Sequence, residues 1–256
     1  MRVVDVDFRP SSNLYEMLHS KSAENFILKE GKVVVCPAFE SNTSACPRSI
    51  SSLKELVDNG KAEGFHQSHF PQGHGPTQFD TFWKKSSHCP DYAIGKTEDY
   101  FWNESYDIRH EDLFEPYIVM ASGDVPLYDE RFQGYGLNKV SHLASVSRKK
   151  EGDFFVLPGV FVVAPAHERS EAWSKIYGNS KSDDNKFNQL VLKGLYYKFM
   201  RDLEGDKDPI VSENTQTKLQ LLLQQERESK QKQHESNESI QTHQVVHPTK
   251  HVLCCY

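Results

Sequence analysis

Apolar and polar positions along the first forty residues predict two strands with a helix between them. Residues 2–8 include three valines and predict a strand, which Pro10 is expected to break. Asn13 followed by Glu16 has the spacing of a capping box, and it predicts a helix through the next apolar positions. Residues 32–36 contain an unbroken run of valines, which predicts a second strand buried on both faces.

Strands and helices continue to alternate in the rest of the chain. A short helix is predicted to begin at Ser52 with Glu55 in its first turn, and to end at Gly60. Further strands are predicted at residues 116–120, 154–157 and 160–163. A long helix is predicted at residues 184–203, because its apolar residues are spaced by four and Gly205 lies just past its end. This order indicates an α/β architecture.

Residues 65–106 show little periodicity and are rich in histidine, glycine, proline and aromatic side chains. A segment of this kind predicts a long loop, and long loops inside compact domains are usually functional or disordered. The many aromatic residues argue against disorder. We therefore expect a loop that contributes to a binding site.

Composition divides the chain into two parts. Hydrophobic residues make up 37% of the 256 residues and the mean hydropathy is −0.65, but the apolar deficit is concentrated in residues 206–256. Residues 1–205 are predicted to form a folded domain, and residues 206–256 a disordered or partly helical polar tail. The formal net charge of −6 does not favour nucleic-acid binding.

The pair Asp5 and Asp7 lies near the end of the first predicted strand. Side chains two apart on a strand point the same way, so both carboxylates face one side and suit a hard divalent cation such as Mn²⁺. His167, just beyond an apolar strand, is a candidate third ligand. The alternative is that the two aspartates enter a solvated turn and that the histidine caps a strand.

Two glycine-containing segments could contact a ligand. His74 and Gly75 precede several aromatic residues, which can stack on sugar rings. A glycine-rich bend at residues 134–136 comes before a short predicted helix, and it could place Asn138 or Lys139 against an anionic group. Ordinary turns would explain the same glycines, and the first turn would then lead into a helix capped by Thr77, with the aromatic residues in the core.

Several blocks together resemble, in their order and spacing, the LARGE-type family of glycosyltransferases. The resemblance covers residues 1–203. The blocks that carry it lie at residues 5–10, 14–15, 37–40, 73–77, 114–117, 128–132, 134–140 and 156–158.

The resemblance implies a GT-A fold, of which this chain would hold an incomplete mixed sheet flanked by helices. It implies binding of a UDP-sugar and Mn²⁺, with Asp5, Asp7 and His167 as metal ligands. The segments around His74 and Glu115 resemble walls of the donor and acceptor sugar sites. The binding residues that it implies are His74, Gly75, Glu115, Tyr117, Asn138 and Lys139.

The function implied by the resemblance is an inverting transfer of a sugar, glucuronic acid or else xylose, to an acceptor glycan. An inverting reaction needs a general base, for which Glu115 and Asp129 are the candidates. The resemblance also implies a Golgi location, with membrane attachment only through an N-terminal anchor that this sequence does not show.

Family members continue upstream of the paired aspartates, through a half that binds the nucleotide. Here Met1 lies about four residues before Asp5, so we expect a truncated sequence. The alternative function is a non-catalytic relative that acts as a sugar-binding or interaction module. A metal hydrolase using the same three ligands has little support, because no group that would activate water stands out.

Overall fold

The computed structural model describes residues 7–89, 98–151, 153–166, 168, 171, 174, 178 and 183–205. The strands are β1 (Arg9–Pro10), β2 (Val33–Cys36), β3 (Ala38–Ser41), β4 (Ala62–Gly64), β5 (Tyr106–Arg109), β6 (Tyr117–Val119), β7 (Asp153–Val156) and β8 (Val162–Ala164). The helices are α1 (Leu14–Leu18), α2 (Lys21–Ala23, continued by a π-helical segment, Glu24–Lys29), α3 (Ile50–Asp58), α4 (Phe79–Ser86), α5 (Glu98–Asn103), α6 (Asn138–Lys149) and α7 (Asp183–Glu204).

The strands form two mixed sheets of four, in the orders β5-β7-β2-β6 and β1-β8-β3-β4. Each sheet has a parallel pair at its centre, β2 with β7 or β3 with β8, and antiparallel strands on either side. Only Pro37 separates β2 from β3, and its carbonyl oxygen accepts a hydrogen bond of 2.9 Å from the Val162 amide. The predicted α/β class, with mixed sheets flanked by helices, is confirmed.

Strand β2 is buried on both faces, as its valine run predicts. Val33 and Val35 pack with side chains of α3, α4 and α6. Val34 and Cys36 pack on the opposite face with side chains of α1 and α5. Alternate residues of one strand therefore enter two separate cores, which is why no polar position interrupts the run.

The first strand lies later than predicted, because Asp7 and Phe8 precede it and Pro10, expected to end it from outside, is its last residue. Pro10 lies within β1 and pairs with Val162, while Arg9 pairs with Val163. Since β1 is at the edge of its sheet, a residue without an amide hydrogen is tolerated there. Residues 2–6 of the predicted strand lie outside the described part of the chain.

The starts of the first two helices differ from the predicted ones. Helix α1 forms, but Asn13 makes no capping hydrogen bond; its side-chain amide donates instead to the Gly159 carbonyl oxygen at 3.0 Å. Helix α3 begins earlier than predicted, because Ser49 and Ser52 form a reciprocal capping box. Tertiary contacts and an unrecognised serine cap account for both differences.

The prediction of one long loop over residues 65–106 is also wrong. The described part of this segment includes α4 and α5, and two 3₁₀ turns, Pro71–Gly73 and Gly75–Thr77, precede α4. Helix α4 has only eight residues, so its apolar periodicity spans little more than two turns. The alternative of a helix with core aromatic residues is confirmed, although Gln78 and not Thr77 is its N-cap residue. The helix is stabilised by packing, since the buried ring of Phe82 contacts Phe39 of β3.

The long C-terminal helix is confirmed as α7, which the left-handed Gly205 follows. Tyr196 and Phe199 of α7 are buried against Phe132 and Val140. Residues 206–256 lie outside the described part, so the predicted tail and domain boundary stay predictions. Among the described helices, none is long and apolar enough to cross a membrane.

Candidate functional site

The candidate site lies at the end of one sheet where β1 begins and where β8 and β3 end. Because β1 and β8 are antiparallel, Arg9, the first residue of β1, lies at the same end of the sheet as Ala164, the last residue of β8. Parallel pairing of β3 with β8 places Glu40 opposite Ala164. Asp7, two residues before Arg9, therefore leads out of this end, where the carboxyl ends of β3 and β8 also lie.

Glu115 is positioned here by contacts with two loop segments. Its backbone amide donates to the Gly73 carbonyl oxygen at 2.8 Å. Its carboxylate oxygen lies 3.9 Å from Nδ1 of His66, and both side chains are about one-fifth exposed. The His66 amide in turn donates to the Glu40 carboxylate at 2.8 Å. Two carboxylates and an imidazole thus meet beside the sheet.

His74 is fully buried next to this group. Its side chain is 1% exposed, and Nε2 has no hydrogen-bond partner among the described residues. Burial, with smaller contributions from Lys139 and His66, holds the pKa of His74 well below its ordinary value. The imidazole is therefore neutral at physiological pH, with one ring nitrogen available to a ligand or to a water.

Aromatic rings connect His74 to the residue after Asp7. The Phe8 ring lies 4.7 Å from Tyr117 and 4.9 Å from Phe65, measured between centroids. Phe65 contacts His74 edge-on at 5.4 Å. The Lys139 ammonium lies 4.0 Å from the centre of the Tyr117 ring, a cation–π contact. The structure therefore brings Asp7, His74, Glu115, Tyr117 and Lys139 into one neighbourhood.

Strained backbone flanks the same neighbourhood. His66, Leu113 and Leu137 have φ values of +55°, +65° and +58°. Leu113 lies two residues before Glu115, and Leu137 two before Lys139. Left-handed geometry in residues other than glycine costs ~1–3 kcal/mol each, and it is concentrated at functional sites. The strain supports a functional assignment of these turns.

An open cleft of about 480 Å³ borders the cluster, lined in part by His74, Gly75 and Gln78. Its volume is in the usual range for small-molecule sites. Gly75 is exposed there, and a Cβ atom at this position would meet nothing within 4 Å. Space for a sugar thus lies directly beside the buried imidazole.

Asp129 and Asn138 have other surroundings. Asp129 accepts hydrogen bonds from the Arg131 guanidinium, which also pairs with Asp202 of α7. The hydrogen bonds from Arg131 lower the pKa of Asp129, which weakens it as a base. The exposed Asn138 accepts a hydrogen bond from the Lys139 amide at the start of α6. Of the two candidate bases, Glu115 is the one within the cluster.

Of the three predicted metal ligands, only Asp7 is described; Asp5 and His167 lie outside the described residues. Within the described ranges, no three His, Cys, Asp or Glu side chains are grouped so that they could hold a metal ion. The metal site therefore stays a prediction.

Sequence reasoning missed Glu40, Phe65 and His66 as members of the site. Glu40 carries a usable signal, because it lies at the carboxyl end of a parallel strand, where ligands bind in α/β proteins. His66 has no comparable local signal. It reaches Glu115 only because the turn after β4 folds back onto the segment before β6.

Comparison with known proteins identifies the family. The family described as "Glycosyl-transferase for dystroglycan" matches residues 1–200. The chain is 29% identical over 205 residues to xylosyl- and glucuronyltransferase LARGE1 of Homo sapiens and 33% identical over 204 residues to LARGE2 of Rattus norvegicus. These alignments cover 79% and 78% of this chain but 24% and 26% of the relatives, so the chain spans about a quarter of their length. The chain belongs to the family of glycosyltransferases for dystroglycan.

Proposed function

We propose that the protein is a metal-dependent, inverting glycosyltransferase that transfers glucuronic acid from a UDP-sugar to an acceptor glycan. The observation that carries this proposal is the position of Glu115, beside the sheet end from which Asp7 leaves. Family membership supports the reaction class, because the relatives are named xylosyl- and glucuronyltransferases. We place the reaction in the Golgi lumen, as the family resemblance implies.

Glu115 is the proposed general base. It accepts the proton of the acceptor hydroxyl while that oxygen attacks the anomeric carbon, and the bond to UDP breaks with its electron pair on the diphosphate. His66, 3.9 Å away, and the hydrogen bond from the Glu115 amide to Gly73 hold this segment in place. A base aligned in this way contributes roughly 10²–10⁴-fold to the rate.

Asp5, Asp7 and His167 are the proposed metal ligands. Carboxylate and imidazole groups suit Mn²⁺, which when bound neutralises charge on the departing diphosphate. The antiparallel register of β1 on β8 supports this grouping, since Asp7 and Ala166 both leave the same end of the sheet. The cleft beside His74 and Gly75 is the proposed acceptor site.

Glu115→Gln and Asp7→Asn in the full-length protein test the two roles. We expect each to reduce Mn²⁺-dependent turnover of UDP-glucuronate by at least ~10²-fold. Glu115→Gln should leave donor binding unchanged, because glutamine keeps the shape and loses only the basic oxygen. Glu111→Gln and Asp107→Asn, both at exposed positions, are the matched controls.

Near-normal turnover by Glu115→Gln would show that another group is the base, and normal Mn²⁺ dependence of Asp7→Asn would remove the metal assignment. A wild-type protein that binds sugars and transfers none would instead identify a non-catalytic sugar-binding module. A donor panel including UDP-xylose decides which sugar is transferred.

A further inference from the structure

A second, smaller pocket lies between β6 and α6, next to the candidate cluster. Its volume is about 30 Å³, and apolar walls come from Ile118, Met120 and Leu143. A single water needs ~10–15 Å³, so the pocket has room for a small planar group such as a carboxylate. A nucleotide or a diphosphate is too large for it.

Lys139 supplies positive charge at this pocket. Its side chain lines the pocket, and its ammonium lies against the Tyr117 ring at 4.0 Å. Within the part of the chain that the structure describes, Lys139 forms no ion pair with a carboxylate. A half-buried lysine without a protein counter-ion is suited to an anionic ligand.

His142 supplies a buried polar group to the same pocket. Its side chain is 6% exposed, and Nδ1 has no hydrogen-bond partner among the described residues. The Tyr128 ring stacks on the imidazole at 3.9 Å with an interplanar angle of 2°, which fixes the plane of the ring. Buried polar atoms are nearly always hydrogen-bonded, so an orphan nitrogen lining a pocket points to a ligand or a bound water.

We propose that this pocket binds the carboxylate of a hexuronic acid, with Lys139 as counter-ion and His142 as hydrogen-bond donor. The proposal rests on the proposed function, since it names the residues that distinguish a uronic acid from a neutral sugar. The apolar walls and the Tyr128 ring suit the apolar face of a sugar next to its carboxylate. The pocket adjoins the cluster because Glu115 and Tyr117 flank Pro116, which also lines it.

Binding and kinetics of Lys139→Met and His142→Leu in the full-length protein test this assignment. Calorimetry with UDP-glucuronate, UDP-glucose and UDP measures the donor side. We expect Lys139→Met to lower the affinity for UDP-glucuronate ~10- to 100-fold and to leave the affinities for UDP-glucose and UDP unchanged. His142→Leu should act in the same direction, and because it removes an orphan nitrogen it should keep its unfolding temperature. Lys84→Met removes a charge from an exposed lysine of α4 and is the control.

The carboxylate could belong to the donor or to the acceptor sugar. If it belongs to the acceptor, the donor affinities stay constant, and the KM of a methyl glucuronide acceptor rises relative to that of a methyl glucoside. Equal weakening of all three UDP ligands would mean that Lys139 contacts phosphate, and it would overturn the pocket assignment while leaving the transferase intact. No change in either the donor or the acceptor measurement would also refute the assignment.

Discussion

Replacing Gly73 with alanine tests the packing that holds Glu115 in place. A Cβ atom built on Gly73 lies 2.6 Å from Cδ1 and 2.9 Å from Cε1 of Phe70, and 3.3 Å from Cγ of Glu115. Carbon atoms in contact are normally ~3.5–4.0 Å apart, so the Phe70 ring has to move. The Glu115 side chain has to shift by a smaller amount.

The expected magnitude follows from these contacts. Overpacking costs ~1–3 kcal/mol, and the half-buried Phe70 ring can relax, so we expect the lower half of that range. For a domain of this size each kcal/mol lowers Tm by roughly 2–4 °C. Turnover should fall by about tenfold, since misplacing a catalytic group by 1 Å costs ~10²-fold and the displacement here is a few tenths of an ångström.

Thermal unfolding and steady-state kinetics of the full-length protein measure both effects. Gly123→Ala is the matched control, because an added Cβ there meets nothing within 4 Å. If Gly73→Ala had the same Tm and kcat as Gly123→Ala, the packing of Gly73 against Phe70 and Glu115 would have no energetic consequence, and the reasoning would be refuted.

Two further predictions concern stability. Burial lowers the pKa of His74 and His142, so the unfolded chain takes up their protons first as pH falls. The stability from keeping them neutral is complete above about pH 6.5, and below that it is lost by at most ~1.4 kcal/mol per pH unit for each histidine, until the pH reaches the pKa of that histidine in the folded protein. Denaturant unfolding at pH 7.5 and 5.5 should show a lower free energy of unfolding at the lower pH. An equal decrease in the His142→Leu variant would contradict the contribution of His142. Arg131→Met, which removes the pairs to Asp129 and Asp202, should cost at most ~1 kcal/mol, because the side chain is 37% exposed. Amide hydrogen exchange in the last turns of α7 should become faster in Arg131→Met. Lys193→Met, at an exposed position of α7, is the control, and equally fast exchange in it would exclude the loss of Arg131 as the cause.

Local patterns were enough for elements whose burial is continuous. The valines of β2 predicted a strand buried on both faces, and the spacing of apolar residues in α7 predicted a long amphipathic helix. Patterns failed where tertiary contacts competed with local ones. The side chain of Asn13 donates to the Gly159 carbonyl oxygen instead of capping α1. Pro10 is tolerated as a strand residue because β1 lies at the edge of its sheet.

The sequence by itself determined the α/β class, the family and the residue types of the site, because ordered blocks and periodicity are properties of the chain alone. It also singled out His74, Glu115, Tyr117 and Lys139. Only the tertiary structure decided that these four lie together and that Arg131, which holds Asp129, also pairs with Asp202 of α7. The pairing of His66 with Glu115 and the pocket at His142 were likewise invisible, because turns far apart in sequence create them, and no local spacing encodes such contacts.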